Sequence, residues 1–213
     1  MPSSDPAVPV EAHKLYGGLL CLDFANTVEP RVREPRRDHL RGYADLVRWA
    51  RHAGALDDAQ AQRLLAAAAT RRAAARTSFI RAIALREAIY RAFAAIAQGA
   101  TPAAADLDRL QRAYAAAMRH AHLLRADGRL AWTWDDQALD LAWWPAARSA
   151  VELATAGPLE RLKQCPAPEG CGWLFLDGTK NRLRRWCSME ECGGQAKARR
   201  QTARRRVARA TAR

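Results

Sequence analysis

Four of the chain's five cysteines stand near its C-terminal end, at Cys165-x5-Cys171-x15-Cys187-x4-Cys192. Two close pairs, separated by enough chain for a hairpin, are what a tetrahedral four-cysteine zinc site requires. Each pair offers two thiolates from one turn, and the intervening segment folds back to join the pairs. The spacing is looser than a doubled C-x2-C motif. A set of reduced, buried cysteines is the alternative, but a unit this short and this poor in apolar residues has little core without metal. With all four positions filled by thiolate, the site is closed and structural. Between the pairs, Trp173-Leu174-Phe175-Leu176 runs into Asp177-Gly178, a hairpin turn signal. After Cys192 come Gly193-Gly194 and an Ala/Arg stretch of helical character. Knuckle, hairpin and helix in that order predict a treble-clef finger. Cys21, far from the others, reads as a small buried apolar residue.

Charge singles out the same region. The 213 residues carry 35 Lys+Arg against 22 Asp+Glu, a net charge of +13. Residues 160–213 hold 14 basic and 5 acidic side chains, so +9 of the excess sits in the last quarter. Arginine outnumbers lysine 31 to 4, but 48 alanines in the same chain point to a composition bias. That bias is common to both parts, so it does not account for their asymmetry. From Gly178 to Arg213 there are 12 basic residues and 2 acidic ones. A merely solvated face mixes signs; this one does not. The pattern predicts a polyanion-binding surface built from Lys180, Arg182, Arg184 and Arg185 on the hairpin side. Lys197, Arg199, Arg200, Arg204, Arg205 and Arg206 supply the helix side. Ala196, Ala203 and Val207 form a narrow apolar stripe for laying that helix on the finger. Trp173 and Trp186 serve either a small core around the metal or base stacking.

The remaining residues read as a separate, mainly helical domain. Hydrophobic residues make up 49% of the chain, which excludes a disordered protein. No apolar run approaches the roughly 18 residues of a membrane span, and the N-terminus has no secretory signal. The expectation is a cytoplasmic protein with no membrane partner. Residues 1–14 read as a flexible tail. Leu20, Leu22 and Phe24 alternate as one face of a strand would. Helices are predicted over 43–53, ending at Gly54, and from a capping box at Asp57 and Gln60. The stretch 58–98 is one long helix or two, with Ala82, Leu85, Ile89, Phe93 and Ile96 as its apolar stripe. Thr101-Pro102 reads as an N-cap and first-turn pair, followed by Leu107, Leu110, Tyr114 and Met118 on one face. Leu130, Trp132 and Trp134 suggest a strand or hairpin. Pro145 opens a last helix that ends near Gly157-Pro158, the predicted domain boundary.

The motifs of both parts together resemble one bacterial family. They are Leu20-Cys21-Leu22-Asp23-Phe24-Ala25-Asn26-Thr27, Cys171-Gly172-Trp173-Leu174-Phe175-Leu176-Asp177, Arg184-Arg185-Trp186-Cys187-Ser188-Met189 and Ala196-Lys197-Ala198-Arg199-Arg200. The resemblance is to proteins that join an N-terminal ABATE domain to a C-terminal CGNR zinc finger, and it covers nearly the whole chain. It implies an α+β fold: a mainly helical ABATE-like domain with a small β-sheet (15–157), then a treble-clef finger (158–213). It also implies one structural Zn2+ on Cys165, Cys171, Cys187 and Cys192, and a transcription regulator whose finger binds DNA. Two departures stand out. Five residues separate the first cysteine pair where the family commonly has four. Cys192-Gly193-Gly194-Gln195 replaces Cys-Gly-Asn-Arg, so any contact made by the family's Asn and Arg is missing here.

The resulting expectation is a one-component regulator that binds double-stranded DNA through the finger. Its N-terminal domain would sense a small-molecule effector or stress signal, or form a homodimer. Asp23, Asn26 and Thr27 are the candidate effector contacts, although such residues at a strand end also serve as caps and turn anchors. Arg31, Arg33, Arg36 and Arg37 form either an anion site or a solvated loop. His120 and His122 share a face only if their stretch is a strand, and nothing near them completes a metal site. There is no P-loop, dinucleotide fingerprint, HExxH or G-x-S-x-G, so no enzyme is expected. The alternatives are an RNA-binding or ribosome-associated zinc protein, and an enzyme whose finger only targets it to nucleic acid.

Overall fold

A helix of 26 residues, Arg72–Ala97, runs through the centre of the molecule (α4). The computed structural model describes residues 9–126, 128–135, 137–166 and 170–211, without the side chains of 126 and 206–211. On α4, Ala75, Ser78, Ala82, Leu85, Ile89 and Phe93 recur every three or four positions and are all buried. That spacing keeps them on one face of a 3.6-residue helix. Helices α1 (Leu20–Ala25), α2 (Tyr43–His52), α3 (Asp58–Thr70) and α5 (Ala104–Arg119) pack against α4. Helix α6 (Trp144–Ala156) lies on α1 and α5. Three two-stranded antiparallel ribbons complete the described fold: β1–β2 (Val28–Glu29, Arg37–Asp38), β3–β4 (Ala121–Ala126, Arg129–Trp134) and β5–β6 (Leu162–Gln164, Leu174–Leu176).

The expected strand at Leu20–Phe24 is instead the helix α1, with five of its six residues buried. With five of six residues buried whatever their direction, including Asp23, the alternation of Leu20, Leu22 and Phe24 carries no information about period. The tail expected over 1–14 does not hold for residues 10–13. Residues 1–8 lie outside the described residues, but Val10–Ala12 form a 3-10 turn, and Val10 and His13 are buried. The stretch 58–98 is two helices. They break at Arg71, whose φ of −111° and ψ of 49° leave the helical region. Thr101-Pro102 does not cap α5; Ala103 takes that place without a side-chain bond. Leu107, assigned to the apolar face, is exposed, and the buried face is Asp106, Leu110, Ala113 and Ala117. The capping box at Asp57 is present, with Gln60 N–H donating to Asp57 Oδ1 at 2.7 Å.

An ionic network of two buried arginines and their partly exposed carboxylate partners ties α4 to the β1–β2 ribbon. The Arg86 guanidinium donates to both Asp38 oxygens at 2.8 and 2.7 Å and to Thr27 Oγ1 at 3.2 Å. Arg31 pairs with Glu87 at 2.7 Å and lies over the Tyr90 ring at 4.3 Å. It is buried, so it is not part of a solvated loop.

The C-terminal unit is seated on this helical domain along a strand edge. Cys165 N–H donates to Trp173 O at 2.8 Å, which extends the β5–β6 ladder and points the Leu174 peptide outward. There Asn26, fully buried on the C-terminal side of α1, receives the Leu174 N–H at 2.9 Å and donates to its carbonyl at 2.8 Å. Two residues on, Leu176 N–H donates to Gly17 O at 2.9 Å. Leu162 and Leu174 belong to the same hydrophobic core as α1 and α4. The helical domain therefore completes the open edge of the finger's hairpin.

Candidate metal centre and nucleic-acid interface

The β5–β6 hairpin carries the first two cysteines in its connecting loop. The hairpin turn is therefore at 165–173 and not at Asp177-Gly178. Gly172 has φ +76°, and a Cβ there would stand 2.4 Å from Val32 Cγ1. Glycine is needed at Gly172 for both reasons. The first cysteine pair's connection is closed by a Gly170 N–H bond to Pro166 O at 2.6 Å; residues 167–169 lie outside the described residues. Cys187 follows a segment, 182–185, without regular secondary structure. Ser188 Oγ accepts the Glu191 N–H and so caps a π-helical turn, Met189–Gly193, that carries Cys192 into helix α7 (Gly194–Thr211).

All four sulfurs lie within 4.8 Å of one another, with Cys171–Cys187 at 3.4 Å and Cys187–Cys192 at 3.7 Å. Zinc–sulfur bonds of about 2.3 Å in a tetrahedron place ligand sulfurs about 3.8 Å apart, so the cluster is already near the size of a zinc site. Hydrogen bonds from Cys171 and its neighbours pull the Cys165 thiol far down, while those with Cys165 push Cys171 and Cys187 up. A bound cation removes that conflict by stabilising all four thiolates. Cys165, Cys187 and Cys192 are buried in a small core with Trp173, Phe175, Trp186 and Ala196. Both tryptophans are therefore core residues and offer no free face for stacking on bases. The residues fit one zinc ion, which supplies cross-linking of the knuckle to the helix and leaves no open coordination position.

The helical domain grips the knuckle directly. Arg31 N–H donates to Cys171 O at 2.7 Å, and the Tyr90 hydroxyl donates to Gly172 O at 3.1 Å. Trp173 Nε1–H donates to Val28 O at 2.9 Å, and the His13 ring packs edge-on against Trp173 at 5.1 Å. Lys14 pairs with Glu191 beside Cys192.

The basic residues divide into two sets. Lys180, Arg182 and Arg185 are exposed, as are Lys197, Arg199, Arg200, Arg204 and Arg205. Every described side chain from Lys197 to Arg205 is exposed, so α7 is anchored by Ala196 and then stands out from the finger. Ala203, assigned to the packing stripe, is accordingly exposed; Val207 and the Arg206 side chain lie outside the described side chains. Arg184 turns inward. Its guanidinium donates to the carbonyls of Trp186 and Cys187 and lies 4.6 Å from the Phe175 ring centre. It braces the metal loop, because those carbonyls have no strand partner.

Asp23, Asn26 and Thr27 lie together on and just after α1, and all three are buried. Asp23 accepts the Gly17 N–H at 2.7 Å, and burial pushes its carboxyl up to about 6. Thr27 Oγ1 donates to Phe24 O at 2.9 Å and accepts from Arg86. These polar atoms serve the protein's own backbone and ionic network. His120 ends α5 and stacks on Trp144 at 4.8 Å, while His122 is exposed on β3; no metal cluster joins them among the described residues. Asp177 and Lys163 were not singled out from the sequence, yet Asp177 is fully buried and binds the Lys163 ammonium at 2.7 Å. The Asp177-Gly178 turn signal concealed this role.

No helix among the described residues is long and apolar enough to cross a membrane. Searches of curated proteins and of solved structures gave no match. Two family matches were found. Residues 18–157 match ABATE, described as "Putative stress-induced transcription regulator", and residues 161–205 match the CGNR zinc finger. With two-thirds of its length in the first match and the zinc-binding cysteines in the second, the chain belongs to the ABATE family and carries a CGNR zinc finger.

Proposed function

We propose that this protein is a one-component transcription regulator that binds double-stranded DNA through its zinc finger. The observation that carries the reading is the union of metal centre and charge. A closed four-thiolate site fixes the root of α7, and the helix beyond Ala196 exposes Lys197, Arg199, Arg200, Arg204 and Arg205 with no acidic residue among them. Such a surface neutralises phosphates and gives affinity without reading bases. Gly194 and Gln195 in place of Asn and Arg remove two candidates for sequence-specific contact.

The helical domain takes the sensing role, for a small-molecule effector or stress signal, in a cytoplasmic protein without enzymatic activity. Its coupling route to the finger is short. The Arg31 backbone holds Cys171, Tyr90 holds Gly172 and Asn26 holds Leu174, so a shift of the β1–β2 loop or of α4 displaces the knuckle. Dimerisation through the same domain would give the two-fold arrangement that suits a palindromic operator.

The test is selection of bound sequences from a random duplex library, followed by salt titration of the winner against random duplex and structured RNA. The expected result is a selected duplex still held at physiological salt, with random duplex binding falling steeply. Preference for structured RNA over every duplex would overturn the reading.

A further inference from the structure

The loop after β6 is held more firmly than a surface connection requires. Asp177, fully buried, accepts Thr179 N–H and Oγ1–H on one oxygen, at 3.0 and 2.6 Å. Its other oxygen accepts Lys163 Nζ at 2.7 Å and Arg184 N–H at 2.9 Å. The same ammonium also donates to the carbonyls of Arg182 and Arg184, at 2.5 and 3.0 Å. Arg161 donates to the carbonyls of Asp177 and Thr179. Arg182 has φ +52°, the one positive value on a non-glycine residue among those described. Such a backbone persists only where its surroundings impose it.

At the crest of this clamped loop stands Leu183, 79% exposed and the most exposed large apolar side chain described. A single exposed leucine is ordinary. This one is different because both neighbouring carbonyls are fixed by one lysine and three exposed cations lie within three residues of it along the chain: Lys180, Arg185, and Arg182, which has Glu160 at 3.7 Å. A rigid apolar tip beside exposed positive charge fits a ligand that is anionic outside and apolar between its layers. Stacked bases flanked by phosphates have that form.

We propose that Leu183 is a wedge that enters a base step of duplex DNA from the minor groove and kinks it, while Lys180, Arg182 and Arg185 hold the flanking phosphates. This rests on the DNA-binding reading above and adds to it a residue that deforms the duplex. Deformation costs energy that depends on the step being opened, so Leu183 would contribute sequence preference although it makes no hydrogen bond to a base.

The test uses the full-length, zinc-loaded protein and two 30-base-pair random-sequence duplexes, one intact and one with a central two-nucleotide bulge. Both carry end labels for energy transfer. The wild type is expected to shorten the end-to-end distance of the intact duplex and to bind the pre-bent duplex about tenfold more tightly, since part of the kink is already made there. Leu183→Ala is expected to lose the shortening and to reduce that preference to within about threefold, with its salt slope unchanged. Leu183→Phe, which keeps an apolar wedge, is expected to retain both. Bending by Leu183→Ala equal to that of the wild type would overturn the wedge and leave DNA binding intact. Failure of the wild type to bind either duplex would overturn both.

Discussion

Replacing Asn26 by Ala removes one side chain from α1, yet most of the damage should appear in the finger. Asn26 is fully buried and forms both hydrogen bonds of the outward-facing Leu174 peptide, at 2.8 and 2.9 Å. With the amide gone, a buried N–H and a buried C=O lose their partners at about 1–3 kcal/mol each, so the variant should lose about 2–6 kcal/mol. Against a total stability of about 5–15 kcal/mol that is a large fraction. Leu174 lies three residues after Cys171, so the same change loosens the knuckle and should weaken zinc binding. Asn26→Asp is the sharper variant. It keeps an acceptor for the Leu174 N–H but turns the donor into a buried anion facing the Leu174 carbonyl. Its deficit should exceed that of Ala near neutral pH and shrink in acid, where a protonated carboxyl can donate again. Urea unfolding of the zinc-loaded proteins, followed by tryptophan fluorescence and far-ultraviolet circular dichroism, reads the stability. Competition with a chromogenic chelator reads the zinc affinity. A midpoint for Asn26→Ala that leaves stability within about 0.5 kcal/mol of wild type would show that the strand edge is not held as described.

Other outcomes follow from the same geometry. Burial, reinforced by His39, pulls the His13 imidazole down to about 4 from 6.5, and burial lifts the Asp23 carboxyl to about 6 from 3.8. Between pH 6.5 and 4, protonation of the unfolded chain at His13 costs about 3 kcal/mol of stability, while proton uptake by folded Asp23 returns a similar amount. Asp23→Asn should therefore lose more stability than the wild type on acidification from pH 6.5 to 4; parallel profiles in denaturant titrations at several pH values would refute this. Cys187→Ser should unfold the finger and also lower the melting temperature of the helices by several degrees, because Leu162 and Leu174 sit in their core. Calorimetry showing untouched helices would contradict that coupling. Arg199 and Arg200 both changed to Ala should weaken binding to all duplexes alike and reduce the salt slope by about two; an unchanged slope in fluorescence anisotropy titrations would move the phosphate contacts elsewhere.

What the sequence disclosed was chemistry fixed within a few residues. The capping box at Asp57 is legible because both of its bonds close within four residues. The four cysteines are legible because two close pairs a hairpin apart fit a tetrahedral zinc site, and their sulfurs do converge. Helix α1 is not legible as a helix because a short segment buried nearly all round has no solvent-facing side to set a period. The seat of the finger was invisible for a different reason. Asn26 and Leu174 are 148 residues apart, and an asparagine that pairs with a strand edge looks like one that caps a turn. Charge counting likewise could not separate Arg184 from Arg185. Only packing shows that the first turns inward onto Phe175 and the second stays in solvent.

The claim that the metal centre exists to hold a DNA-binding helix is tested most directly by one paired measurement. Zinc content and duplex affinity are followed together as a chelator strips the protein and zinc is restored. The account predicts one zinc per chain, loss of tight duplex binding in proportion to zinc removed, and recovery of both on restoration. Duplex binding that survives complete removal of the metal would contradict it.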